Sequence, residues 1–589
     1  MMNVLTHTSF AVTPTEHSLR LADGTELFYR AWIPTARTSK ALIIFHRGHE
    51  HSGRLEDVVR DLQLRDVAVF AWDARGHGRS SGQRGYAPSF GHLAKDADAF
   101  VRHISETYGM RLEDMVVLGH SVGAVMVAAW VHDYAPPVRA MVLVTPALRV
   151  KLYVPLARTA LRLMRWLVRG KPLYVSSYVK GRLLTHDPEE ARRYDTDPLI
   201  SRRMAVTVLL GLQDTATRLI ADAGAIRTST LVLAGDADWV VSLRAERRFF
   251  ERLGSDEKRM RVFKGMYHDI LHEKDRHIVL DEIRNFVDNA FAGDEPAPGY
   301  LQATYTHDEY ERLSSPLPSW SPKRFWFAAQ RLFLKTYGRL SDGIRLGWRM
   351  GFDSGSSLDY IYENRARGSL LLGRLIDRIY LNNPAWVGIR QRKANIEKLL
   401  RDAIERIRSK GAAVRILDVA AGQGRYVLET LASLADRNFT AVLRDYTDAN
   451  VEAGRTLAAP YGLPGITFEK ADAFNPESYT SLDPPPNIVI VSGLFELFSD
   501  NALVRQCLKG IASVMEEGGY LIYTGQPWHP QLEMIARVLT NHQGKPWVMR
   551  RRTQGELDEL VREAGFEKVM TEVGGRGIFT VSIAQKRSF

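Results

Sequence analysis

Cysteine is nearly absent. The 589 residues hold one, Cys507, so no disulfide can form within the chain and a reducing compartment is expected. It sits in the helix-like stretch NALVRQCLKGIASVM and reads as a small buried hydrophobe rather than a nucleophile. Long apolar runs are missing too. The longest mostly apolar run, 115–131, is interrupted by Gly119, His120, Ser121 and Gly123 and falls short of the roughly 20 residues that a membrane span needs. The first residues, MMNVLTHTSFAVTPTEH, have neither a basic start nor an apolar centre, so no leader peptide is expected. Zinc-finger spacing, an RNP-like signature and a basic low-complexity tail are all lacking. The net charge of +11 is therefore read as favouring an anionic membrane face over nucleic acid, with a cytoplasmic location and peripheral contact at the inner face of the membrane.

What is present points to more than one folding unit, because 589 residues exceed what a single hydrophobic core organises. Two stretches read as strand, glycine turn and helix: MVVLGHSVGAVMVAAWV (115–131) and VRILDVAAGQGRYVLETLASL (414–434). Around the first lie candidate strands at 41–45, 67–73, 140–146, 230–236 and 259–265. Around the second they lie at 440–446, 466–472, 487–493 and 519–525. Helical patterns separate most of them, which predicts an α/β protein with two doubly wound, mainly parallel sheets. The Pro-, Gly- and Ser-rich segment 293–324 is expected to be a linker between a domain at 1–292 and a second at 411–589. Residues 325–410 are expected to be helical and to cap the second sheet.

Gly119-His120-Ser121-Val122-Gly123 fits G-x-S-x-G between a strand and a helix, the sharp turn that lifts a serine oxygen above a sheet. A serine hydroxyl is a weak nucleophile. It needs a histidine base, and the histidine needs a carboxylate to fix its tautomer. In chain order the partners come as an acid and then a histidine. Asp238 in LAGDADWVV supplies the first, with Asp236 as a competitor. His268 in KGMYHDILHE supplies the second, with His272 as a weaker rival expected at the surface.

The stretches HRGHEHSGR (46–54), WDARGHGRSSG (72–82), GHSVGA (119–124), YDTDPLI (194–200), GDADWVV (235–241) and GMYHDILHE (265–273) make residues 20–290 resemble the monoglyceride lipase and lysophospholipase branch of the α/β-hydrolases. The resemblance implies Asp238 rather than Asp236 as the acid, and an oxyanion hole at the backbone N–H groups of Gly48 and Val122. The chain departs from that pattern at Arg47 and His49, where small residues are usual. No metal is expected at His46, His49 and His51, which lie in this loop.

The resemblance also places a cap over an acyl tunnel at about 147–222. Residues 147–182 contain nine Lys or Arg and no Asp or Glu. Arg158, Arg162, Arg165 and Arg169 form one stripe beside Leu156, Leu161, Leu163, Trp166, Leu167 and Val168, so a lid helix facing anionic lipid is expected.

Asp418-Val419-Ala420-Ala421-Gly422-Gln423-Gly424 follows the second strand and opens a helix, with small residues that let the backbone approach a ligand. Asp445, 21 residues after Gly424 at the next strand's end, is suited to ribose hydroxyls. That spacing also fits NAD. The turn is not G-x-G-x-x-G, however, and begins with an acid. It resembles motif I of class I methyltransferases, with Ala420 in place of the first glycine. The resemblance implies S-adenosylmethionine as cofactor, Asp472 and Ala473 at the adenine, and Ser492 in SGLFELF at the fourth strand's end. Arg365, Arg390 and Arg392 are weighed for an anionic headgroup or the cofactor carboxylate and read instead as a solvated helix face. The whole chain is similar to a bacterial family of bifunctional α/β-hydrolase and class I methyltransferase proteins. The expected function is a serine hydrolase for the ester of a monoacyl lipid, fused to an S-adenosylmethionine-dependent methyltransferase. A transacylase, or a membrane-bound adaptor with inactive pockets, is the alternative.

Overall fold

In the computed structural model, the described residues are 13–151, 157–168, 171–177, 179–295, 298–480 and 482–587, and the chain divides into two compact units, Met1–Gly299 and Tyr300–Phe589. Leu156 and Arg169 of the expected lid stripe, and most of the N-terminal stretch, lie outside the described residues.

The first unit is built on an eight-stranded sheet. Its strands are β1 (Thr15–Arg20), β2 (Glu26–Trp32), β3 (Ala41–Phe45), β4 (Ala68–Trp72), β5 (Met115–His120) and β6 (Ala140–Val144), followed, after a short ribbon of β7 (Tyr174–Ser176) and β8 (Arg203–Ala205), by β9 (Ser229–Gly235) and β10 (Lys258–Phe263). The order across the sheet is β1-β2-β4-β3-β5-β6-β9-β10. From β4 to β10 every pair is parallel, while β1 and β2 form an antiparallel edge. Every residue of β3, β4, β5 and β6 is buried, as a sheet covered on both faces requires. This is the expected α/β-hydrolase sheet. Between β6 and β9 the chain forms the cap: helix Ala157–Leu167, the β7–β8 ribbon, helix Pro188–Thr196 and helix Val206–Ala221.

The second unit has a seven-stranded sheet of β11 (Val414–Asp418), β12 (Phe439–Asp445), β13 (Ile466–Lys470), β14 (Ile488–Val491), β15 (Tyr520–Gly525), β16 (Phe566–Val573) and β17 (Thr580–Lys586). Its order is β13-β12-β11-β14-β15-β17-β16, parallel except for β17, which runs antiparallel to both of its neighbours. The direction of winding reverses between β11 and β14, and ligands of such sheets bind at the carboxyl ends of the strands beside that point. The architecture is the Rossmann-like one expected of a methyltransferase.

Two expectations change. The segment 293–324 is not a linker throughout: Tyr300 starts the second unit and a helix runs from Tyr305 to Ser314. Tyr300 packs so closely on Gly555 that a Cβ there would lie 2.4 Å from its ring, and the Leu301 N–H donates to Glu559 at 3.1 Å. Within 325–410, the helix Pro384–Arg408 packs against the sheet, on β11, β15 and β17. The segment before it builds a separate core with the start of this helix, in which Ile344, Phe352, Ile361 and Trp386 meet Ile535, Trp547 and Phe579.

Candidate functional sites

In the first unit, Ser121 stands between β5 and the helix Val122–Tyr134 with φ 56° and ψ −108°, a backbone state that β-carbon-bearing residues rarely adopt. Both flanking glycines are required by space. A Cβ on Gly119 would lie 2.6 Å from the Cα of Ala124, and one on Gly123 would lie 2.5 Å from the carbonyl oxygens of Phe45 and His46. The strain is held by the Ser121 N–H, which donates to the Val144 carbonyl at 2.8 Å.

The Ser121 Oγ lies 2.8 Å from His268 Nε2, and His268 Nδ1 lies 2.7 Å from Asp238 Oδ2. The second Asp238 oxygen accepts the N–H groups of Val240 and Val241 at 2.6 and 2.9 Å. Burial alone would raise the Asp238 pKa; His268 and these bonds hold it below the usual value. All three residues are buried. Asp236 is exposed and bonds the Gly265 N–H, so it stabilises the neighbouring loop. His272, expected at the surface, is buried instead. Its Nδ1 donates to Asp269 at 2.8 Å and its Nε2 meets the Arg54 carbonyl at 2.9 Å, so both ring nitrogens are engaged by partners other than Ser121.

Gly48 faces Val122, with a Cβ on Gly48 reaching 2.9 Å from Val122 Cγ2. Both line a cavity walled by Trp72, Leu93, Met126, Met204 and Val208. The residues that depart from the expected pattern are accommodated in different ways. Arg47 is buried, pairs with Glu50 at 2.8 Å and Asp269 at 3.5 Å, and lies 4.5 Å over the Tyr194 ring. His49 takes φ 74° and is pushed down to about 4 by burial and the Arg47 charge. His46 donates to the Arg47 carbonyl at 2.6 Å and accepts the Ala74 N–H at 2.9 Å, while His51 bonds Asp197 at 3.0 Å. His46 and His51 thus hold two different parts of the loop. On the lid helix, Arg158, Arg162, Arg165, Leu163 and Leu167 are exposed, Leu161 is half-buried, and Arg162 meets Asp214 at 2.8 Å.

In the second unit the turn after β11 has Gly422 at φ 58° and Gly424 at φ 72°; a Cβ on Gly424 would strike Leu443 at 2.6 Å. Ala420, Ala421, Gly422, Gln423, Gly424 and Ser492 line one cavity. Asp445, at the end of β12, accepts the Gly422 N–H at 3.1 Å on one oxygen and Thr447 and Asn450 at 3.0 Å on the other. Asp472 is exposed just beyond β13 and accepts the Phe474 N–H, and Ala473 accepts the Tyr479 hydroxyl at 2.7 Å. None of Asp445, Asp472 and Ala473 lines the cavity around the turn; Asp445 adjoins it through its bond to the Gly422 N–H.

Asp418 does not line it either. It is wholly buried beneath the turn, accepts the Tyr426 hydroxyl at 2.7 Å and the Ala420 N–H at 3.3 Å, and is pushed up to about 7 by burial. Its role is to brace the turn.

Arg392, read from sequence as a solvated residue, is 3% exposed and pairs with Glu496 at 3.3 Å. Arg365 is exposed, and Arg390 bonds the Leu381 carbonyl at 3.0 Å. Arg392 and Leu358 border both the turn cavity and a second, aromatic one walled by Trp386, Trp547 and Phe579. In that cavity Asp353 Oδ1, Gln526 Nε2 and Trp547 Nε1 are buried without a hydrogen-bond partner. Asp359, which clasps Arg425 at 2.5 and 2.7 Å, fastens the helix Gly355–Glu363 onto the turn. Apart from the three arginines, which the sequence offers as candidates and which read there as a solvated face, none of these is found from sequence. The available signal was that a buried motif acid such as Asp418 needs a donor, and Tyr426 is the first hydroxyl after the turn.

The family model described as "Putative methyltransferase" matches residues 283–586, more than half of the chain. The chain belongs to that family. The model described as "Serine aminopeptidase, S33" matches this family member's residues 36–275. The chain is 48% identical to "Uncharacterized protein YnbC" of Escherichia coli (strain K12) over 98% of its own length and 99% of the relative's. It is 27% identical to the "Monoacylglycerol lipase" of Mycolicibacterium smegmatis over 47% of this chain and 97% of that one. It is 29% identical to the "Monoglyceride lipase" of Homo sapiens over 45% of this chain and 85% of that one. The protein therefore joins a monoglyceride lipase-like α/β-hydrolase domain to a methyltransferase domain. Among the described residues no helix is long and apolar enough to cross a membrane.

Proposed function

We propose that the first unit hydrolyses the ester of a monoacyl lipid through an acyl-Ser121 intermediate, and that the second transfers a methyl group from S-adenosylmethionine. The observation that carries the first part is the hydrogen-bonded series Asp238, His268, Ser121 at 2.7 and 2.8 Å, ending on a strained serine. Ser121 Oγ attacks the ester carbonyl as His268 Nε2 takes its proton, and Asp238 keeps the remaining ring proton on Nδ1. The N–H groups of Gly48 and Val122 receive the charge that develops on the carbonyl oxygen. His268 then returns the proton to the departing alcohol, and water, deprotonated by His268, releases the acid. The apolar walls Trp72, Leu93, Met126 and Val208 suit an acyl chain. The lid helix, with Arg and Leu exposed together, suits substrate entry from an anionic lipid surface.

The second part rests on the strand order and on the turn at 420–424, whose open backbone at Gly422 and close packing at Gly424 fit a nucleoside cofactor. When bound, S-adenosylmethionine supplies an electrophilic methyl group. The turn backbone and the Asp445 carboxylate would hold it, with Ser492 at the cavity wall and Asp472 and Ala473 at the strand edge for the adenine. The aromatic cavity would take the acceptor, and Asp353 Oδ1 would accept its hydroxyl or amine hydrogen.

A fluorophosphonate probe with intact-mass analysis, followed by calorimetry with S-adenosylmethionine, tests both parts on one sample. A single adduct mapped to Ser121 and saturable cofactor binding are expected. No adduct would remove the hydrolase reading, and no heat of binding would remove the methyltransferase reading.

A further inference from the structure

The helix Pro322–Lys335 contains Phe325, Trp326, Phe327, Leu332, Phe333 and Leu334, yet none of its residues is buried. Phe325, Leu332 and Phe333 recur at helical spacing on one exposed side, with Phe325 67% and Leu332 65% exposed. Just before it Trp320 is 79% exposed. The helix Leu370–Leu381 repeats the pattern: Leu371, Leu375 and Ile379 lie four residues apart, and Leu371 is 84% exposed.

The two helices are joined by geometry. Both pack against the turn Tyr337–Leu340, whose Tyr337 is itself exposed, and Gly373 approaches it so closely that a Cβ would lie 2.4 Å from the Leu340 carbonyl oxygen. Monomeric proteins rarely leave so many large apolar side chains together in water.

The two helices and the turn between them carry an excess of positive charge. Lys323, Arg324, Arg331, Lys335 and Arg339 occur between 322 and 340 with no Asp or Glu, and Arg374 and Arg378 lie on the second helix. That helix's one acid, Asp377, is turned inward, where it accepts the hydroxyls of Ser341 and Tyr360 and the N–H groups of Gly343 and Arg367. Three of the cations are partly engaged: Lys323 meets Glu533 at 2.9 Å, and Lys335 and Arg331 lie 5.2 and 6.0 Å over the Trp348 ring. Trp, Tyr, Phe and Leu beside Lys and Arg, with acids withdrawn, is the composition that inserts shallowly into an anionic bilayer. A protein partner would be expected to bring complementary carboxylates to this rim. A bilayer provides both the apolar boundary and the anionic headgroups at once.

We infer that the face formed by the helices Pro322–Lys335 and Leu370–Leu381 docks the second unit onto the surface of an anionic lipid bilayer. The inference is independent of the chemistry assigned to either site, and it concerns a surface distinct from the lid.

The test is co-sedimentation of the full chain with phosphatidylcholine vesicles, alone or with about a third phosphatidylglycerol. An apolar variant (Phe325→Ser, Phe333→Ser, Leu371→Ser, Leu375→Ser) and a charge variant (Arg324→Gln, Arg339→Gln, Arg374→Gln, Arg378→Gln) are compared with the wild type. Because these residues are exposed, unchanged melting by circular dichroism is expected and verifies folding. Wild type should favour the anionic vesicles. The apolar variant should lose at least about tenfold in partitioning, and the charge variant should lose the anionic preference and the sensitivity to salt. A lid variant (Arg158→Gln, Arg162→Gln, Arg165→Gln) should keep most of the binding. Folded face variants that bind like the wild type would overturn the inference, as would loss of binding in the lid variant alone. Light scattering that shows a stable dimer dissolved by the apolar variant, without vesicle binding by the wild type, would assign the face to self-association and overturn it equally.

Discussion

Arg47 Nη2 lies 2.8 Å from Glu50 Oε1, and both side chains are essentially removed from solvent. Glu50 is shared with Arg54 at 2.7 Å, and Arg54 reaches Glu190 in the cap at 3.3 Å. The loop that carries Gly48 is thus fixed by a buried charge network where the lipase-like pattern has small residues. Arg47→Ala leaves a buried carboxylate with one of its cations removed. Breaking such a pair costs about 3–5 kcal/mol, and the remaining Arg54 favours the low end. The expected outcome is a loss of about 3 kcal/mol in urea denaturation of the first unit. A change below about 1 kcal/mol would show that Arg54 alone satisfies Glu50.

Ser121→Ala should remove turnover of a short-chain ester by at least about a thousandfold, because Ser121 is the hydroxyl that His268 Nε2 meets, at 2.8 Å. The Asp238–His268 pair remains intact, so folding is expected to be unaffected. S-adenosylmethionine binding should also be unchanged, since the turn at 420–424 belongs to the other compact unit. Ester turnover by the variant near the wild-type rate would move the nucleophile elsewhere.

The central strands were legible because burial on both faces writes an unbroken apolar run, as in ALIIF of β3, and the elbow because Gly119 and Gly123 are dictated by backbone contacts a few residues away. The edges were not. β1 alternates exposed and half-buried polar residues, and its pairing with β2 supplies its order. Helix Tyr305–Ser314 buries only Thr306 and Leu313, too few anchors to show a period in a Pro-rich stretch. Arg392 looks like a surface residue because its partner Glu496 is 104 positions away. Phe325 and Leu371 mislead in the opposite direction: apolar helices predict burial, and here the apolar sides face outward.

Asp445→Ala should weaken S-adenosylmethionine binding. The carboxylate offers charged acceptors to ribose hydroxyls, and hydrogen bonds to a charged group contribute about 1.5–3 kcal/mol, or roughly 10- to 100-fold in affinity. Part of the loss comes from the turn itself, because Asp445 also holds the Gly422 N–H. Asp445→Asn keeps an acceptor for that bond and separates the two contributions, with an intermediate affinity expected. Calorimetry showing unchanged affinity for both variants would place the ribose contact elsewhere.

Asp418 gives the second unit a pH dependence whose sign follows from its burial. Its carboxyl is raised from 3.8 to about 7 in the folded protein, chiefly by removal from water, with the nearby Asp445 charge adding to the rise. The unfolded chain ionises first as pH increases. The protonated form therefore favours the folded state below about 4, and that advantage is lost progressively as pH rises from about 4 to about 7. The slope cannot exceed about 1.4 kcal/mol per pH unit, the value for one proton. Asp418→Asn keeps an oxygen for the Tyr426 hydroxyl and cannot ionise. The variant should flatten the stability profile across this window and melt higher than the wild type at pH 8, with little difference near pH 4. Its cofactor affinity should be nearly unchanged at pH 6, because Asp418 braces the turn from beneath and does not line the cavity. Thermal melts of wild type and variant from pH 4 to 8 provide the measurement. Parallel profiles would show that Asp418 stays ionised in the fold, held by Tyr426 and the Ala420 N–H against the cost of burial.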